Sequence, residues 1–296
     1  MKISECYRNQ KYTFSFEFFP PKTAEGEAKL FEAVGQLKGL SPSFVSVTYG
    51  AMGTTRSNTV RIVDTIKNTI GLETAAHLTC VGHNRSEILG LLSEFRAKNI
   101  DNIVALRGDP PKDAPEYAPP RDGFRYASEL VAFIRAQGEL GRSFSLAVGG
   151  YPEGHPECRD LVKDLEHLKR KVDAGSDAIV TQLFFSNKVY TDFVARARKA
   201  GIRVPIVPGI MPVTHGPQIQ RFALMCGASI PAEIQNAIER FGDNQASVEA
   251  FGIDYATRQC EELLRQGVPG FHFYTLNKSR ATMQIYRNLK LEQYRS

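Results

Sequence analysis

Apolar positions along this chain alternate between two periods. Runs of five to eight residues, β-branched or aromatic and often strictly alternating, recur at 14–18 (FSFEF), 44–48 (FVSVT), 74–80 (TAAHLTC), 102–107 (NIVALR), 144–150 (FSLAVGG), 178–185 (AIVTQLFF), 204–210 (VPIVPGI) and 271–276 (FHFYTL). Such runs predict strands. Between them the apolar residues repeat every three or four positions, as on one face of a helix. Helices are predicted from near Glu25, and over 57–69, 85–99, 126–138, 158–175, 189–201, 216–227, 231–241 and 246–266. Several end at a glycine just before the next strand, a common C-terminal stop.

Strand followed by helix, eight times over, predicts a parallel sheet. Eight such units within 296 residues fit a single (β/α)8 TIM barrel better than an open doubly wound sheet, which is the structural alternative. No composition break, repeat or linker divides the chain, so residues 1–296 are expected to form one catalytic barrel, with 1–12 as an N-terminal extension. Two long loops, 108–125 and 208–217, follow strands, on the side where barrel enzymes build their sites.

Alternation also places side chains. In FSFEFFPPK (14–22), Phe14, Phe16 and Phe18 share one face of the strand, and Ser15 and Glu17 share the other. Glu17 therefore points into the barrel near its C-terminal mouth. The plain alternative is a partly wet barrel-end carboxylate held by a cation. Other strands end in polar groups on the same rim: Thr48, His77, Thr79, Arg107, Asp109, Tyr151, Gln182 and Tyr274. Singly each is ordinary, and His77 alone reads as a hydrogen-bonded barrel residue. Together they are what a catalytic mouth presents. In the helix at 158–175, Leu161, Leu165, Leu168 and Val172 are expected to form one buried stripe, with Asp164, His167 and Lys171 beside it. That polar row is either a solvated face or a rail for a long ligand, with Arg170 or Lys171 near phosphate and Asp164 near a ribose. His155 lies at the start of this helix, where anions are favoured.

Composition narrows the class. Charged residues are 23% and apolar residues 42% of the chain, and the formal charge is +5. The densest basic run, Lys169-Arg170-Lys171, suits small anionic ligands as well as nucleic acid, so no nucleic-acid partner is expected. The five cysteines are scattered and never spaced as CxxC, which predicts reduced thiols and no metal site. No apolar run reaches the length of a membrane span, and the N-terminus lacks an apolar signal region; a cytoplasmic, non-membrane protein is expected. Motifs of the dinucleotide-binding, P-loop, HExxH and GxSxG kinds do not occur.

In order along the chain, FSFEFFPPK, FVSVTYGA, HLTC, NIVALRGD, YPEGHPE, LKRKVDAG, TQLFF, PGIMPV and FHFYTLN resemble the bacterial methylenetetrahydrofolate reductases, from about residue 14 to about residue 290. The resemblance implies a barrel that holds FAD non-covalently. It implies ping-pong reduction of 5,10-methylenetetrahydrofolate to 5-methyltetrahydrofolate by NADH or NADPH, in support of methionine synthesis, by a homo-oligomer. It assigns Glu17 as the acid that protonates the folate and opens its five-membered ring, and expects apolar neighbours to keep that carboxyl protonated. It sets Asp109 beside the flavin and the pterin. FAD positions fall on Thr48, Tyr49, Ala51, His77, Arg107, Gly108, Asp109, Tyr126, Ala127, Tyr151, His155, Asp164, Arg170 and Lys171. Folate positions fall on Gln182, Gln218, Phe222 and Tyr274, together with Glu17 and Asp109. Three positions depart from the family pattern: Lys278 stands for an Arg at the folate tail, and Cys158 and His167 for Ala and Asn at the adenosine end. Outside this resemblance, another flavin barrel oxidoreductase, a metal-dependent hydrolase using His77, Asp109 and His155, and a non-catalytic binding protein are the competing readings.

Overall fold

The computed structural model describes residues 1–49, 56–109 and 119–294. Nine strands form one sheet: β1 Thr13–Phe18, β2 Phe44–Val47, β3 Thr74–Thr79, β4 Asn102–Leu106, β5 Ser145–Gly150, β6 Ala178–Thr181, β7 Ile206–Val207, β8 Gly209–Ile210 and β9 Gly270–Tyr274. Their order is β7-β6-β5-β4-β3-β2-β1-β9-β8, and every pairing is parallel. The predicted strand 204–210 is split at Pro208, which has no N–H to give a ladder. β7 pairs with β6 and β8 with β9, and the Pro208 carbonyl accepts from His272 N at 3.0 Å. This one stretch thus joins the two ends of the sheet, and the eight predicted strands make a nearly closed α/β barrel.

The helices are α1 Ile3–Asn9, α2 Ala24–Lys38, α3 Arg56–Asp64 (continued by a π-helical turn, Thr65–Ile70), α4 Arg85–Ala97, α5 Ala127–Arg135, α6 Gly138–Ser143, α7 Leu161–Asp173, α8 Asn187–Lys199, α9 Gly216–Cys226, α10 Ala232–Phe241, α11 Gln245–Arg265 and α12 Arg280–Asn288. Several of their starts are capped by side chains. Thr23 accepts from Gly26 N, Asn84 from Glu87 N, and Asp160 from Val162 N and Lys163 N, which satisfies otherwise unpaired donors.

The outward faces of the strands supply the main core. Phe14, Phe16 and Phe18 are buried there; Phe14 meets Tyr286 of α12 edge-on at 5.7 Å, and Phe16 packs on Phe273 at 6.0 Å. The N-terminal residues pack on the bottom of the barrel. Ile3 is buried with Phe44, Ala75, Val104, Ala147 and Ala178, and its N–H donates to Asn102 Oδ1 at 2.8 Å.

The predicted buried stripe of α7 is only partly formed. Leu168 is buried, Leu165 and Val172 pack on the core while partly exposed, and Leu161 is 38% exposed.

Close approach governs Gly252 in α11, where a Cβ would lie 1.7 Å from the Val213 carbonyl oxygen. Gly to Ala inside an exposed helix stabilises by up to about 1 kcal/mol. Here the sign reverses, because forced overpacking costs about 1–3 kcal/mol. The midpoint of chemical unfolding of Gly252→Ala is expected to fall; an unchanged or raised midpoint would refute this packing.

Candidate active site

Because all strands run the same way, their C-terminal ends form one rim. Glu17 is next to last on β1, aligned with Ser46 of β2 and Tyr274 of β9. Its side chain points inward and is 7% exposed. Two histidines address the same oxygen: Glu17 Oε2 lies 3.3 Å from His272 Nε2 and 3.4 Å from His77 Nε2. His272 Nδ1 is in turn 2.7 Å from Ser15 Oγ, whose hydroxyl donates to the Phe271 carbonyl at 3.3 Å. Ser46 Oγ is 3.4 Å from His272 Nε2. This corrects the expected setting of Glu17. The phenylalanines beside it in sequence face the helices, and its neighbours inside the barrel are imidazoles and hydroxyls.

His77 stands apart within this group. Burial pushes its pKa down, against the upward pull of Glu17, so the ring is neutral near pH 7. Its Nε2 is near Glu17 but makes no hydrogen bond among the described residues. A buried, unsatisfied ring nitrogen of this kind is costly unless something in the mouth meets it.

A second group lies along β4, β5 and α7. The Arg107 guanidinium makes a two-pronged pair with Glu157, at 2.6 and 2.7 Å, so its charge is already partnered. That pair raises the Arg107 pKa and lowers that of Glu157. Gly108 has φ +84°, and a Cβ there would meet Thr79 Cβ at 2.9 Å; the backbone turns here in a way open to glycine. Asp109 follows it and is exposed. Tyr151 packs edge-on against His155 at 4.6 Å, and burial pushes its phenol up to about 12. His155 is pushed down, first by burial and then by Arg107.

Lys171 reaches back from α7 to donate to the Gly149 carbonyl at 2.5 Å, and burial lowers it to about 8. Burial raises Asp164, against the pull of Lys171. At the outer end, Tyr126 is exposed and stacks on His167 at 6.3 Å, with 22° between the rings. Ala127 opens α5 just behind it. Arg170 is exposed and lines a groove of about 430 Å³ with Val162, Leu165 and Ala200, apart from the cluster around Lys171. Cys158 forms a local bridge with His155. Ala51 lies outside the described residues, as does the stretch 110–118.

The remaining predicted positions are spread around the mouth. The Tyr274 hydroxyl donates to the Thr181 carbonyl at 2.6 Å. Gln182 Oε1 accepts from Leu183 N at 2.9 Å. Gln182 and Tyr151 line one small cleft with Cys226 and Ala228. Gln218 and Phe222 are carried by α9, and Phe222 packs at the edge of the same apolar cluster as Tyr274. Lys278 is exposed beyond β9. Thr48 N continues the ladder to the Phe18 carbonyl at 2.9 Å, and Tyr49 OH is 2.9 Å from His83 Nε2.

His272 and Ser15 were not among the predicted site residues. The signal was the alternation itself, since His272 shares the inward face of FHFYTL with Tyr274.

A buried carboxyl–imidazole cluster inside the mouth of a parallel barrel, with basic and aromatic side chains beside it, is the build of a barrel enzyme. Comparison with known proteins makes the family specific. The profile of the methylenetetrahydrofolate reductase family matches residues 2–290. The chain is 40% identical over 277 residues to the 5,10-methylenetetrahydrofolate reductase of Escherichia coli (strain K12), covering 93% of this chain and 90% of that protein. It is 40% identical over 299 residues to methylenetetrahydrofolate reductase (NADH) 1 of Arabidopsis thaliana, covering 98% of this chain and 50% of that one. The chain thus spans about half the length of the plant and yeast relatives that it matches. Among solved structures, an uncharacterized Clostridium thermocellum protein that binds two copies of 5-methyl-5,6,7,8-tetrahydrofolic acid superposes with a TM-score of 0.66 at 13% identity, covering 99% of each chain; it shares the fold. The chain belongs to the methylenetetrahydrofolate reductase family of oxidoreductases. Among the described residues, no helix is long and apolar enough to cross a membrane.

Proposed function

We propose that this protein reduces 5,10-methylenetetrahydrofolate to 5-methyltetrahydrofolate with NADH or NADPH, through non-covalently bound FAD, and so supplies methyl groups for methionine synthesis. The observation that carries this reading is the contact of Glu17 with His272, itself held by Ser15, inside the barrel mouth. The plant relatives named for NADH make it the first reductant to test.

The residues present fit FAD. The unsatisfied His77 Nε2, the left-handed Gly108, the Lys171 ammonium and the exposed Tyr126–His167 pair offer, in turn, a ring-edge contact, close backbone approach, an anion contact and an aromatic platform. When bound, FAD supplies hydride transfer between nicotinamide and folate.

The chain's own part is the proton. With the Ser15 proton on the Phe271 carbonyl, His272 Nδ1–H donates to Ser15 Oγ. In a neutral imidazole that leaves Nε2 as a lone pair facing Glu17. One proton between them makes the 3.3 Å contact a hydrogen bond. Glu17 gives that proton to the folate amine nitrogen, the ring C–N bond breaks, and the resulting iminium carbon is ready for hydride. His77, kept neutral, adds no competing charge. Asp109, Gln182 and Tyr274 would hold the pterin, Gln218 and Phe222 the middle of the substrate, and Lys278 its anionic tail.

Purified protein is expected to be yellow, and anaerobic NADH or NADPH to bleach it. A colourless protein that takes up no added FAD would overturn the reading. The pKa of Lys171 adds a pH test. Without ligand, its ammonium is disfavoured below about pH 8, so the free protein gains stability as pH rises from about 8 toward the ordinary 10.5. A bound phosphate needs the charged form. FAD affinity should therefore fall by up to about tenfold per pH unit above about 8, read as quenching of flavin fluorescence. Lys171→Met should bind weakly at all pH values with a flattened profile. A flat wild-type profile would remove Lys171 from the phosphate contact.

A further inference from the structure

The loop after β5 and the loop after α9 are joined by one side chain. Both carboxylate oxygens of Glu153 accept from Ser229 N, at 3.0 and 3.1 Å, and the Ser229 hydroxyl adds a third bond at 2.5 Å. From the same loop, the Arg159 guanidinium lies against Gly227, the left-handed residue that ends α9; its Nη1 is 2.6 Å from where a Cβ would sit. The β5 loop therefore grips the C-terminal end of α9 at two points.

The inner face of α9 packs through Ile219 and Ala223 on an apolar cluster with Leu183, Met211 and Ile234, while its outer face is open. Only Gly216, Ile219 and Ala223 of α9 are buried, while Leu224 and Met225 are 82% and 55% exposed. The two elements carry opposite halves of the proposed site: Tyr151 and His155 stand on the loop, and Gln218 and Phe222 stand on α9. Between them lies the cleft lined by Tyr151, Gln182 and Cys226. A carboxylate accepting one N–H shared between its two oxygens and one O–H bond is a stronger tie than a neutral contact, yet it sits at the surface, where it can be exchanged for water.

We infer that Glu153 is a positioning residue: its clasp on Ser229 latches α9 across the substrate half of the mouth, and opening this latch admits and releases the folate. This inference rests on the folate reading for its substrate, but the latch itself is readable without turnover. Cys226 lies on α9 in the cleft behind the clasp and is partly buried, so its alkylation rate reports opening.

The test alkylates the FAD-loaded protein and follows Cys226 by peptide mass spectrometry, alongside stopped-flow measurement of both half-reactions. In Glu153→Gln, Cys226 labelling should rise by about three- to tenfold, the range set by a charge-assisted bond discounted for exposure. The concentration of methylenetetrahydrofolate giving half-maximal flavin reoxidation should rise by a similar factor, and flavin reduction by NADH should stay within about twofold. Ser229→Ala should move both quantities in the same direction by less, and Ser229→Thr, which keeps the hydroxyl, should restore them. Unchanged Cys226 labelling in Glu153→Gln and Ser229→Ala would overturn the latch. So would a parallel loss in both half-reactions, which would mark a merely structural tie. If methylenetetrahydrofolate fails to reoxidise even the wild-type flavin, the substrate reading fails while the labelling result still decides the latch.

Discussion

Glu17→Gln is expected to leave reduction of bound flavin by NADH within about threefold of wild type and to slow its reoxidation by methylenetetrahydrofolate by about 100- to 10,000-fold, the usual worth of a positioned general acid. The reasons are local. The amide has nearly the same volume as the carboxyl group, so the barrel interior is not emptied. It can still hydrogen-bond to His272, whose Nε2 lies 3.3 Å from Glu17 Oε2. What it lacks is a proton it can release. Hydride delivery from the nicotinamide needs no proton from this side chain, whereas ring opening of the folate does. Stopped-flow absorbance under anaerobic conditions separates the two steps. An equal loss in both would mean that Glu17 shapes the site rather than supplying a proton.

Substitution of His272 should have the second-largest effect. His272 is 2% exposed and stands between Ser15 and Glu17. In His272→Ala Glu17 loses its hydrogen-bond partner inside the barrel and Ser15 keeps only the Phe271 carbonyl, and an unsatisfied buried group costs about 1–3 kcal/mol. A lower unfolding midpoint is therefore expected, with folate-dependent reoxidation slowed by about 10- to 100-fold through misplacement of the acid. Loss of stability alone does not establish a role in proton handling. His272→Gln makes that distinction, because its amide can still bond to Glu17 but cannot titrate. The glutamine variant should regain much of the stability, while the pH dependence of the folate step stays displaced from wild type. If both variants keep the wild-type pH profile of that step, His272 is only a structural partner.

Much of this architecture is legible from period alone. Eight apolar runs separated by helical stretches point to a parallel sheet and favour a barrel over an open doubly wound sheet, and strict alternation in FSFEF sends Phe14, Phe16 and Phe18 outward and Glu17 inward, as found. The split of 204–210 at Pro208 is not legible that way: VPIVPGI reads as one strand, and the structure divides it. What period cannot supply is pairing between distant strands. Ser15 and His272 meet because β1 and β9 are neighbours in register, although the two residues are 257 positions apart. Without that register, Glu17 was assigned apolar neighbours borrowed from its own strand. The stripe on α7 failed for a related reason. Its spacing is helical, but Leu161 lies in the first turn, where its side chain rests on Gly154 of the preceding loop, 3.0 Å from that residue's virtual Cβ, instead of on the core. Arg107 shows the same limit in charge: its strand position was readable, while its engagement by Glu157, 50 residues later, depended on the loop after β5.

The proposed reaction makes one sequence of events compulsory: the same bound flavin must be emptied of electrons by the folate after the nicotinamide has filled it. The direct measurement is anaerobic double-mixing stopped-flow on the purified protein. Its flavin is reduced with one equivalent of NADH, or of NADPH in a parallel series, and then mixed with methylenetetrahydrofolate while the flavin absorbance is followed. The account predicts bleaching in the first step and full return of the oxidised spectrum in the second, with 5-methyltetrahydrofolate formed in equal amount to the flavin reoxidised. A flavin that bleaches with either nicotinamide but stays reduced in the presence of methylenetetrahydrofolate would contradict it.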